Sequence, residues 1–134
     1  MGTIVTDRAV SSPDALAHER RLQRCLRALQ TSGWEQRLQP LAAHMVDRRL
    51  VRARGDAGAA VRHVDLGLLR EVLSRLLHAE WDGASLIVAL VVEGTDPAVV
   101  AAERGVSRPA LVKQLRAAVG ALATRYERLA NGDQ

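Results

Sequence analysis

The chain has 134 residues, enough for one domain or a small domain with an appendage. Its 48% hydrophobic and 25% charged residues exclude a wholly disordered chain. The net charge is +4, and the aromatic content of 2% (Trp34, Trp81, Tyr126, no Phe) leaves Leu, Val and Ala to build a core that leans helical.

Residues 1–12 show no periodicity and read as a disordered tail. Ser12-Pro13-Asp14 reads as a helix start, after which Ala15, Leu22 and Leu29 recur every seven residues with Cys25 and Leu26 between them. This first helix should end near Gly33, with Arg20, Arg21, Arg24 and Arg27 on its other face. A second helix is expected from Trp34 to Val51, marked by Trp34, Leu38, Leu41, Met45 and Val46, and kinked or split at Pro40. Residues 13–54 thus form an N-terminal helical segment, and the Gly/Ala-rich residues 55–63 read as a linker.

Asp65 is a plausible cap for a third helix whose buried face is Leu66, Leu69, Leu73, Leu76 and Leu77, with Asp82-Gly83 as the turn after it. Ser85 opens a fourth element, Leu86 to Val92. Its β-branched residues would suit a strand, but no partner strand is visible, so a buried helix ending at Glu93-Gly94 is expected. Thr95-Asp96-Pro97 starts a short fifth helix that stops at Gly105. Ser107 starts a sixth that carries Leu111, Leu115, Val119, Leu122, Tyr126 and Leu129, with a possible bend at Gly120 and a stop at Asn131-Gly132.

The informative stretch runs from Asp96 to Ala118. Ala101, four residues before Gly105, allows two helices to cross closely. Gly105 can take the left-handed conformation that ends the first, Val106 plugs the corner, and Ser107 caps the second. Leu111 and Leu115 then fasten the second helix to the body, leaving Arg108, Lys113 and Gln114 outward with Arg116 close by.

This pattern resembles the DNA-binding helix-turn-helix, whose second helix enters the major groove. With Leu69 to Leu76 and Val92-Glu93-Gly94 upstream, residues 64–131 are similar to region 4 of bacterial sigma-70-type factors and to the LuxR-type regulator domain. Arg104 departs from the pattern, which usually has an apolar residue there, and Pro109 removes one side chain from the start of the second helix. The N-terminal half does not resemble the polymerase-binding segment of a sigma factor. Short phage and mobile-element activators with a region-4-like end are closer in shape.

The resemblance implies an all-α helical bundle with a C-terminal helix-turn-helix, acting as a sequence-specific transcriptional regulator on double-stranded DNA. Arg108, Lys113 and Gln114 would address base edges, since Arg suits guanine, Gln adenine, and Lys guanine or phosphate. Ser107 would cap the reading helix, and Arg104 and Arg116 would hold phosphates. The reading requires the surface that begins at Ser107 to be open to a duplex.

Residues 1–62 hold eleven arginines and six acids, for +5, while residues 63–134 hold eight bases and nine acids, for −1. Within 94–134 the balance is only +2, six bases against four acids, so phosphate neutralisation by this region alone is modest. A homodimer, or help from the basic N-terminal half, is therefore expected. The stripe of Ala15, Leu22, Leu29 and Cys25 could serve a twin subunit or fold onto the C-terminal domain. Arg48, Arg49, Arg52, Arg54 and Arg62 could form a basic arm on DNA or a solvated connection.

Other classes have less support. His18, His44, His63 and His78 are scattered and lack zinc-ligand spacing, and no phosphate-binding Gly-rich loop exists, so no metal, cofactor or enzymatic activity is expected. Cys25 sits on an apolar stripe, where a thiol is inert. One cysteine, no signal-like N-terminus and a longest apolar run of seven residues, Leu86 to Val92, point to the cytoplasm and to no membrane partner. The rival readings are a protein–protein module acting on transcription machinery (an anti-sigma factor or an adaptor on RNA polymerase) and a phage DNA-packaging small terminase.

Overall fold

The computed structural model describes residues 13–51 and 64–132. The expected tail at 1–12 and linker at 55–63 lie outside the described residues, as do Arg52, Arg54, Arg62 and His63. The described residues form helices α1 (Pro13–Gln30), α2 (Trp34–Asp47), α3 (Leu66–His78), α4 (Asp82–Ile87), α5 (Pro97–Arg104) and α6 (Arg108–Ala130), and no strand. α4 continues without a break into a π-helical turn, Val88–Val92.

The apolar run Leu86 to Val92 is the centre of the molecule. A strand there would leave its backbone groups unpaired, and the chain satisfies them locally instead, with Glu93 N–H donating to Val88 O at 2.8 Å and Thr95 N–H to Ala89 O at 2.8 Å. Leu86, Ile87, Val88 and Val92 are buried, and α4 with its π turn packs against all five other helices. A helix that is apolar all round needs such a surrounding.

α1 and α2 share a core with α3, α4 and α6. Cys25, Leu29, Leu38, Leu41 and Met45 lie in one buried cluster with Leu69, Leu73, Leu77, Ile87, Val119 and Leu122. The apolar stripe of α1 is buried only from Cys25 onward; Leu22 is half-buried, and Ala15 is exposed together with Leu16 and Ala17. Two contacts fix the helices further. The Arg70 guanidinium lies over the Trp34 ring, 4.0 Å from its centroid. The buried Tyr126 hydroxyl accepts from the Asp65 N–H at 2.9 Å, joining the end of α6 to the cap of α3.

The structure sharpens or changes the sequence expectations in three places. α2 runs through the exposed Pro40 as one helix, so the segment is not split there. α2 also ends at Asp47 instead of Val51: Arg49 turns left-handed (φ 56°), and Leu50 N–H returns to Met45 O at 2.8 Å. The turn after α3 lies at Ala79–Trp81, not at Asp82-Gly83. Glu80 takes φ 61° there, and Asp82 and Gly83 are already in the first turn of α4. In both turns a long charged residue occupies a position where glycine is the usual signal.

Candidate nucleic-acid interface

α5 and α6 meet at Gly105-Val106-Ser107. α5 starts where the Asp96 carboxylate accepts from Ala98 N–H at 2.9 Å, ahead of Pro97. It ends where Gly105 turns left-handed (φ 68°), with Gly105 N–H donating to Ala102 O at 3.2 Å and Val106 N–H to Ala101 O at 3.0 Å. Ser107 Oγ then accepts from Ala110 N–H at 3.3 Å and caps α6. The inner corner is a small core of Leu86, Val100, Ala101 and Leu111, on which Val106 and Leu115 pack half-buried.

Arg104 has a different occupation from the expected phosphate contact. Its guanidinium grips the Asp82 carboxylate through both nitrogens, at 2.6 and 3.1 Å, with Ser85 Oγ at 3.4 Å. The side chain is only 19% exposed. It fastens α5 to the start of α4, which explains an arginine where an apolar residue would be usual. The Arg104 hydrogen bond holds the Asp82 carboxyl below its ordinary value. Burial opposes this, and the charges of Arg104 and Arg21 and the Ser85 hydroxyl reinforce it.

Ser107, Arg108, Lys113, Gln114 and Arg116 are all exposed, and no part of the described chain covers them. At about 100° per residue, Lys113 points directly away from the buried side of α6 and Arg116 lies about 60° from it, whereas Arg108 lies about 140° round, in line with buried Tyr126, and is exposed because it stands in the first turn. Val112, 49% exposed, lies between Arg108 and Arg116 around the helix. Gln114 stands apart, on the opposite flank of Lys113. There it lines a cleft of about 340 Å³ together with Arg21 and Arg24 of α1, Asp82, Glu103 and Arg104.

Sequence reasoning missed four members of this region. Val112 could have been found from its spacing, four residues after Arg108. Asp82 and the α1 arginines carry no local signal, because tertiary packing brings them here.

Cys25 is fully buried, and its thiol is pushed up to about 11, first by burial and then by the nearby Glu93 charge, against the influence of Arg24 and Arg21. That environment is opposite to one that activates a nucleophile. Among the described residues no group of three or more His, Cys, Asp or Glu side chains could hold a metal ion. No described helix is long and apolar enough to cross a membrane. No family model, no curated protein and no solved structure matches the chain.

Proposed function

We propose that the chain is a sequence-specific DNA-binding regulator of transcription, in which α5 and α6 act as a helix-turn-helix and the first turns of α6 enter the major groove. The observation that carries this reading is the set of exposed polar side chains in the first turns of α6, mounted on a tightly capped corner and uncovered by the described chain. Arg108 and Lys113 are assigned to base edges, and exposed Val112 to a thymine methyl group. Arg116 is assigned to phosphate. Gln114 is assigned to the backbone at the groove's edge, beside the cleft it shares with Arg21 and Arg24. Arg104 is assigned to holding α5 in place and not to DNA.

Selection of bound sequences from a randomised duplex library by the purified chain tests this, paired with a mass measurement of the free species. An enriched motif is expected, with two half-sites about one helical turn apart if the species is a homodimer. A chain that enriches no sequence, and whose association with a transcription protein is insensitive to salt, is a protein-binding module instead.

A further inference from the structure

We propose that α1 is a phosphate clamp: Arg20, Arg21, Arg24 and Arg27 grip the duplex backbone beside the groove that α6 reads. The inference rests on the DNA-binding reading and adds a second contact surface to it.

Arg20, Arg24 and Arg27 are spaced four and three residues apart, which places them on one face of α1, with Arg21 beside them on the side nearer the core. All four are exposed, and among the described residues no ion pair engages Arg20, Arg21 or Arg27. Arg24 reaches Glu93 only at 3.8 Å. Arg21 and Arg24 line the same cleft as Gln114 of α6. α1 is held there by Cys25, Ala28 and Leu29 in the main core, so its arginines keep a fixed position relative to α6.

The charge requires such a surface. Residues 94–134 carry only +2, while affinity for DNA comes largely from phosphate neutralisation. From Arg20 to Arg27 the stripe is about 10 Å long at 1.5 Å per residue, enough to meet more than one phosphate. The cleft walls are exposed at Arg21, Arg24, Glu103 and Gln114, which suits a passing backbone better than an enclosed small molecule. Asp82 is neutralised by Arg104, which leaves Glu103 as the acid on that wall that opposes a phosphate.

The test compares the full chain with the triple variant Arg20→Gln, Arg21→Gln, Arg27→Gln, which spares Arg24 beside Glu93. Binding is measured on the selected duplex and a scrambled one over a salt series. The variant should bind both duplexes at least tenfold more weakly at low salt and keep its sequence preference. Its log–log salt slope should be shallower by about 0.9 for each phosphate the variant leaves without an arginine. Glu103→Gln should tighten both duplexes severalfold. An unchanged slope in a folded triple variant overturns the clamp.

If the triple variant does not fold, arginine modification by phenylglyoxal on the unaltered chain decides. Protection of Arg20, Arg21 and Arg27 by the duplex supports the clamp, and equal modification with and without duplex overturns it. A parent chain that binds no duplex defeats both readings. A parent whose preference is relaxed by Arg108→Ala, but whose slope survives the triple change, defeats the clamp alone.

Discussion

Arg104 and Asp82, 22 residues apart, form a two-pronged ion pair at 2.6 and 3.1 Å that ties the last turn of α5 to the first turn of α4. The pair holds α5 against the start of α4, while α6 is seated by its own residues Val119, Leu122 and Tyr126 in the main core. Asp82 is 69% exposed, so the pair is worth about 1 kcal/mol or less in stability, and its main effect is positional.

Asp82→Asn should therefore cost little stability and still weaken DNA binding. The folded carboxyl titrates below its unfolded value, so its stabilising contribution is complete above about pH 4 and is lost as pH falls through the folded value. Urea unfolding of the parent and Asp82→Asn should differ at pH 6, and the difference should shrink as pH falls below 4. A constant difference across that range would show that the charge is not what matters.

Cys25 gives the opposite pH dependence. Its folded thiol lies near 11, above the unfolded value of about 8.5, so the stability it contributes is present below that value and is lost as pH rises toward 11. The native chain should resist iodoacetamide at pH 8 and react only when urea opens it. Rapid labelling of the native chain would contradict the burial of α1 against the core.

Gly83→Ala separates two effects of opposite sign. Helix propensity alone favours Ala by about 1 kcal/mol. A Cβ at Gly83, however, would overlap the Trp81 ring, which must then move. The net change should be destabilising by about 1–2 kcal/mol, with an altered Trp emission spectrum. Trp81→Leu added to Gly83→Ala should restore most of the loss. A more stable single variant would show that the ring adjusts freely.

Arg108→Ala should cost about 1–3 kcal/mol on the selected duplex and relax preference at one base position. Arg104→Ala should instead weaken all sequences alike, through disorientation of α5. Competition binding against single-base variants of the site distinguishes the two patterns. Equal binding of Arg108→Ala and the parent to the selected site removes Arg108 from the reading face.

The helix starts are legible in the sequence because their caps are local. Asp65, Asp96 and Ser107 each accept from a backbone N–H two or three residues on, and Gly94 and Gly105 turn left-handed where the chain reverses. The corner at Val106 is legible for the same reason. The turn at Glu80 and the end of α2 at Arg49 are not, because both residues turn left-handed without the glycine or asparagine that signals such a turn. Arg104 looks free in the sequence because its partner lies in a different helix, and the shared cleft of α1 and α6 depends on how two distant segments pack. Ala15 looks buried because periodicity marks a face but not whether a neighbour covers it.

The most direct test of the central claim is the change in backbone amide NMR shifts when the selected duplex is added to the full chain. The largest changes are expected from Ser107 to Arg116, with smaller ones along the arginine face of α1. Changes confined to other helices, or none at duplex saturation, would contradict it.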